Sequence, residues 1–278
     1  MTSAMRSEKR NELLYTAVTW AIVLTVLFPV FWMALMIFKP ESVMFERPTV
    51  WLFKPTLDHF KYVIEMGFIK NVGASLIVCI ASTLLVILLG TPAAYAFARF
   101  QKMKGRDDMF LFILATRMAP PIALVIPFYL IYAKIGLNNT YTGLILVYLT
   151  FNLSFYVWVL KSFCQEIPVE LEEAAMADGY PRSQVLLRIV IPLMRPGIIA
   201  TSVLCFIFAW NEFLYAFMLG GKEVKTIPTV ITILITAQGV KWGELAIVGM
   251  VALLPVLFVV FLLQRHIVRG LTLGAVKG

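Results

Sequence analysis

The sequence predicts an all-α polytopic membrane protein, with six transmembrane helices and one further helical segment lying at the membrane surface. Three observations carry this prediction. Of 278 residues, 60% are hydrophobic and only 14% charged, with a mean hydropathy of +0.87, a balance that no water-soluble domain can bury. The apolar residues fall into six runs, each matching or exceeding the roughly 20 residues that cross a bilayer as a helix. Backbone in lipid must satisfy its own hydrogen bonds, and runs this long choose helices over the strands of a barrel. The chain reads as one transmembrane domain over residues 1–278.

The spans lie at about 15–37, 70–98, 109–133, 141–162, 196–219 and 244–264. The first follows Arg6, Lys9 and Arg10 as a signal peptide would. It is too long for a signal core and no small-residue cleavage site follows, so it reads as a retained signal anchor. The second carries Gly90, Ala93, Ala94, Ala96 and Ala98, small residues that permit close helix approach. The third holds Arg117 directly before Met118-Ala119-Pro120-Pro121. The double proline breaks the helix and frees backbone groups, which is tolerated only beside protein or a cavity. The fourth contains Asn152, and the fifth Asn211 and Glu212. Trp20, Trp32, Trp158 and Trp242 lie near span ends, where amphipathic rings act as interfacial anchors.

Between spans four and five, residues 163–195 form a charged, helix-forming island. Pro168 suits a helix start. Glu170, Glu172 and Glu173 load the first turn with negative charge that complements the helix dipole. Leu171, Ala174 and Ala175 form a small apolar stripe. Asp178-Gly179 stops the helix where glycine takes a left-handed conformation. Pro181 opens a second helix, with Val185, Leu186 and Ile189 on one face and Arg182 and Arg188 away from it. Pro192 and Pro196 then break the chain before span five.

This island resembles the EAA loop of ABC-importer permeases. That family's pattern is Glu-Ala-Ala, three residues, Gly, nine residues, then Ile-x-Leu-Pro. Here it reads Glu173-Ala174-Ala175, Gly179 and Ile189-Val190-Ile191-Pro192, with Ile191 where leucine is usual. Further segments resemble the carbohydrate group, and within it the smaller maltose-type permease subunit. They are Thr91 to Arg99, Ile126-Pro127-Phe128-Tyr129, Gly136 to Tyr141, Phe208 to Phe213, and the tail from Gln264 to Gly278. The resemblance implies the type I importer permease fold and a mechanism. A second permease pairs with this one as a heterodimer, two ABC ATPases dock beneath, and an extracytoplasmic solute-binding protein delivers a sugar or sugar derivative. Glu172, Glu173, Ala174, Ala175, Asp178 and Gly179 then form the ATPase-coupling segment. The stretch Gln238, Gly239, Val240 and Lys241 resembles the position from which the maltose-type subunit inserts a loop into its binding protein; a plain span connector is the alternative.

Lys and Arg set the orientation. The clusters Arg6–Arg10, Arg99–Arg106, Lys161–Arg195 and Arg265–Lys277 outweigh the remaining loops when both termini and the 163–195 loop are cytoplasmic. A multi-pass protein of the bacterial cytoplasmic (inner) membrane is expected. The net charge of +8 fits an anionic leaflet, and no basic surface interleaved with aromatics points to nucleic acid.

ATP hydrolysis needs a glycine-rich phosphate loop ending in Lys and Ser/Thr. Gly221-Lys222-Glu223 is the nearest approach. The chain is therefore expected to be no enzyme and to hold no cofactor of its own, ATP and Mg being bound by partner ATPases. Cys79, Cys164 and Cys205 are scattered, and His59 and His266 are far apart in sequence; no metal site is expected. Arg117, Asn152, Asn211 and Glu212 are candidates for the translocation path or gate. A cation within a span is costly unless it meets protein, water or a partner. Arg117 thus reads either as a pathway residue facing an anionic substrate group or as a structural ion-pairing or snorkelling residue. Asn211 and Glu212 read as packing and gating groups or as path lining. The competing functions are an ABC permease for a polyol or other small polar solute, and a secondary transporter that needs no ATPase.

Overall fold

In a computed structural model the backbone is described over residues 3–237 and 239–273, and the side chains over 11–237 and 239–261. The elements run α1 Ser3–Phe38, α2 Glu41–Met44, α3 Asp58–Glu65, α4 Phe68–Arg99, α5 Arg106–Met118, α6 Pro121–Ile135 and α7 Tyr141–Gln165. They continue with α8 Val169–Ala177, α9 Arg182–Val185, a π-helical turn Leu186–Val190, α10 Ile191–Trp210, α11 Leu214–Leu219 and α12 Ile227–Leu234. A two-residue hairpin, β1 Ile235–Thr236 with β2 Gly239–Val240, precedes α13 Trp242–Leu273.

Among the described residues, five helices are long and apolar enough to cross a membrane, and α5 with α6 make a sixth if read as one broken span. Their outward surfaces are apolar. Leu24, Phe28 and Phe31 on α1, Leu84 and Leu88 on α4, and Leu254, Phe258 and Phe261 on α13 are exposed. Water would penalise such surface and lipid does not.

Two compact units are formed. One comprises Met1–Phe68 with Ile231–Leu254 and contains the hairpin; the other comprises Ile69–Val230 with Pro255–Gly278. In the second unit α7 is the central helix, packing on α5, α10 and α11. Tyr156, Val157, Leu160 and Cys164 of α7 join Val86 and Ala94 of α4 and Met194 and Cys205 of α10 in one buried cluster. Hydrogen bonds link these helices: Thr91 Oγ1 lies 2.9 Å from the Tyr156 hydroxyl. Asn152 Nδ2 donates to the Cys205 carbonyl at 3.2 Å.

The break expected at Pro120-Pro121 is present: α5 and α6 meet at 98°. Pro120 and Pro121 supply no N–H to the preceding turn, and Ala119 is driven to extended backbone (ψ 130°) as a residue before proline should be. Two other sequence-based expectations need correction. Pro192 and Pro196, by contrast, do not break the chain, and residues Arg182–Trp210 form one span-length helical run. Pro192 falls at the start of α10, directly after the π-helical turn. There the wider turn absorbs the lost hydrogen bond without ending the helix. Span five does not continue to residue 219. It ends at Trp210, and Asn211–Phe213 are a non-helical joint before α11.

Candidate functional site

The surface segment is built around a buried ion pair. Arg99 ends α4, and its Nε donates to Glu172 Oε1 at 2.6 Å. One Arg99 Nη donates to the Ile167 carbonyl at 2.7 Å, and the Tyr95 hydroxyl donates to Glu172 Oε2 at 2.8 Å. Glu172 is 2% exposed. Both its oxygens and the charge opposite them are satisfied, which is the condition for holding an ion pair out of water. The pair ties α8 to the end of α4 and to the turn after α7.

Helical periodicity then divides α8 into two faces. Glu172 and Ala175 point inward, whereas Val169, Glu170, Leu171, Glu173, Ala174, Ala177 and Asp178 are exposed. The candidate coupling residues therefore do not lie on one face. Glu172 and Ala175 anchor the helix, and Glu173, Ala174 and Asp178 face outward with Leu171. The apolar stripe predicted from Leu171, Ala174 and Ala175 is split, because Ala175 lies against the protein.

The helix ends as its Asp178-Gly179 pair requires. Gly179 has φ 91°, its N–H reaches the Met176 carbonyl at 3.1 Å, and the Tyr180 N–H reaches the Ala175 carbonyl at 3.1 Å. This reciprocal pair is a Schellman stop, and its left-handed residue disfavours any Cβ.

The broken span builds a second place of interest. A cavity of about 330 Å³ lies beside the α5–α6 joint, lined by Thr116, Arg117, Phe151, Phe208, Asn211, Glu212 and Tyr215 among others. Arg117 occupies the last turn of α5. Its guanidinium lies 4.9 Å from the Phe208 ring centroid and 5.1 Å from that of Phe155, and one Nη donates to the Phe151 carbonyl at 3.1 Å. Aromatic faces thus carry part of the cost of the cation. No carboxylate pairs with it among the described residues.

Asn211 and Glu212 join Arg117 at this cavity because α10 stops there. The Asn211 amide donates to the Ile207 carbonyl at 2.8 Å. Glu212 Oε1 accepts the Tyr215 N–H at 2.9 Å, satisfying a donor in the first turn of α11. Asn152 does not line the cavity. It is fully buried (0% exposed) between α7 and α10. Phe151, Phe155 and Tyr215 carry no charge or motif in the sequence that would single them out. Phe208 was visible in the sequence as the first residue of the family-like segment Phe208 to Phe213, but not as a partner of Arg117.

Of the outer-loop candidates, Gly239 and Val240 form β2, paired antiparallel with β1. The Lys241 ammonium lies 3.5 Å from the Tyr62 ring centroid. Gln238 lies outside the described residues.

The ion-pair geometry predicts unequal roles for two adjacent glutamates. Glu172→Ala leaves the buried Arg99 unpaired and should cost about 3–5 kcal/mol. Glu173→Ala, on the exposed face, should cost less than about 0.5 kcal/mol. Thermal unfolding of the purified variants measures both, and equal small shifts would show that the pair anchors nothing.

The comparisons agree with this architecture. The family model described as "Binding-protein-dependent transport system inner membrane component" matches residues 86–273. A probable ABC transporter permease of Sinorhizobium fredii is 36% identical over 99% of this chain and 99% of its own. A trehalose/maltose transport system permease of Thermococcus litoralis is 33% identical over 99% of this chain and 100% of its own. Among solved structures, a chain of a bacterial ABC transporter involved in the import of the acidic polysaccharide alginate superposes with a TM-score of 0.73. It is 21% identical and the match covers 94% of this chain and 97% of that one. The fold is that of type I importer permeases, and the chain belongs to the inner membrane component family of binding-protein-dependent transport systems, as a multi-pass ABC importer permease.

Proposed function

We propose that this chain is one of two paired permeases in an importer for a sugar or sugar derivative. In this reading two ABC ATPases hold ATP and Mg, and an extracytoplasmic binding protein delivers the solute. The observation that carries it is the anchored helix α8. Its inner face is fixed by Arg99–Glu172, and its outer face offers Leu171, Glu173, Ala174 and Asp178 to a partner. A rigid helix docked in an ATPase groove moves as a body with α4 and α7. Closure of the ATPases is thereby converted into rotation of helix bundles and alternating access. Both termini and the loop of α8 face the cytoplasm in this arrangement, as the Lys and Arg distribution supports. The sugar class rests on the trehalose/maltose relative and on the sequence likeness to the carbohydrate group. The ATP-independent alternative has no support from family membership; a polyol remains the alternative cargo.

The cavity at the α5–α6 joint is the segment of the path we assign to this subunit. It combines aromatic faces with Arg117, Asn211 and Glu212, the mixture of apolar walls and few polar groups typical of small-molecule sites. Among the described residues Arg117 makes only one hydrogen bond to protein, which leaves donors free for a passing solute. The hairpin at Gly239–Val240 is the segment we assign to the binding protein.

Three outcomes test these assignments. Gly179→Val forces a branched side chain into left-handed backbone; it should abolish coupled uptake while the spans still insert. Glu173→Lys should weaken ATPase copurification by charge reversal at the exposed face. ATPase recovery and uptake at wild-type levels in both variants would refute α8 as the coupling helix.

Deleting Gln238-Gly239-Val240 should abolish stimulation of ATPase activity by loaded binding protein. Unchanged stimulation would leave the hairpin a plain connector.

For an acidic sugar, Arg117→Ala should reduce uptake by at least about tenfold, the loss expected of one charge-assisted contact, and more than Arg117→Lys, which keeps the charge but loses the planar fork. Uptake at matched membrane expression decides this. Equal losses, or none, would make Arg117 a structural residue.

A further inference from the structure

Within the unit that contains the hairpin, three residues distant in sequence converge. Glu41 begins α2, His59 lies in the first turn of α3, and Glu244 lies in the first turn of α13. Their ligand atoms all lie within 4.8 Å of one another. His59 and Glu244 are 4% and 5% exposed.

The hydrogen bonds on the imidazole determine what the cluster can hold. His59 Nε2 lies 3.0 Å from the Lys39 carbonyl oxygen. A carbonyl only accepts, so Nε2 carries the proton. In the neutral ring Nδ1 then presents its lone pair toward Glu244 Oε2, 3.3 Å away. That carboxylate oxygen is buried and has no hydrogen-bond partner. Two acceptors facing one another out of water need a proton or a cation between them. Lys39 does not supply the charge. Its ammonium is buried, but it lies over the Phe53 ring at 5.9 Å and has no hydrogen-bond partner.

The spacing suits a metal. With ligand bonds of about 2.0–2.2 Å, two tetrahedral ligands stand about 3.4 Å apart. A histidine that donates one nitrogen to a backbone carbonyl while the other faces carboxylate oxygens has the outer-shell arrangement typical of metal-bound imidazole. The ring is also held in place: a Cβ on Gly243 would come within 2.5 Å of it. Glu41 is exposed, so its carboxylate can close on the other two by changing rotamer.

We propose that Glu41, His59 and Glu244 form a binding site for a divalent first-row transition metal of the zinc type. One imidazole and two carboxylates favour such an ion over calcium or magnesium, whose ligands are oxygens alone. The ion would pin the segment after α1 to the start of α13, directly behind the hairpin. Neither the sugar reading nor the coupling helix is needed for this site.

The test is Zn²⁺ titration of the full-length protein in its purified assembly, without an affinity tag, against a chromophoric chelator and with metal analysis. His59 and His266 are the chain's two histidines, so they form an internal control. One equivalent of Zn²⁺ per chain is expected. His59→Ala should weaken binding by at least the roughly tenfold that loss of even an outer-shell partner costs, and His266→Ala should not. Glu41→Gln alters an exposed side chain, and it should also lower affinity while the metal-free melting temperature stays unchanged. Absence of stoichiometric uptake by the unaltered protein would overturn the site and leave His59 and Glu244 as a proton-bridged pair. Equal uptake after both His59→Ala and Glu41→Gln would overturn it as well.

Discussion

The arrangement of this permease depends on one ion pair placed where water does not reach it. Arg99 and Glu172 come from segments more than seventy residues apart. A charge buried alone is costly, and only the full set of partners offsets that cost. Tyr95 and the Ile167 carbonyl complete the set. Because the pair is satisfied only when the end of α4, the turn after α7 and the first turn of α8 are all in place, it fixes the orientation of α8. The exposed face of α8 follows from that orientation, and so does the position of Gly179 at its end.

Proline shows how context decides a local rule. Pro120-Pro121 turns the chain by 98°, because two adjacent residues lose their donors and Ala119 cannot remain helical. Pro192 and Pro196 pass within a continuous helical run. A π-helical turn takes up the first defect, and helix on both sides carries the second. The same residue type therefore opens a cavity in one span and leaves another span intact. The cavity in turn collects Arg117, Asn211 and Glu212, which come from two helix ends that meet only because both helices stop there.

The polar residues within spans separate by the same logic. The Asn152 amide nitrogen donates to backbone between α7 and α10, a common fate for an amide between packed helices. Asn211 lies where a helix ends and keeps an exposed side chain. Arg117 is held by two aromatic rings and one carbonyl in place of a carboxylate. The hairpin unit shows a further case: His59, isolated in sequence, meets two carboxylates that arrive from other elements.

Composition and run length alone determined the class of this protein, since apolar segments of span length have only one stable environment. The spaced types Glu173-Ala174-Ala175, Gly179 and Pro192 were enough to identify the family, and the left-handed Gly179 was readable because its stop signal is local. Tertiary structure decided which face of α8 is free, which proline bends its helix, which asparagine is buried between helices, and which aromatic residues receive Arg117. Each of these depends on groups brought together from distant parts of the chain. Local propensity and periodicity carry no information about what stands on the other side of a side chain, and there only the fold supplies the partner.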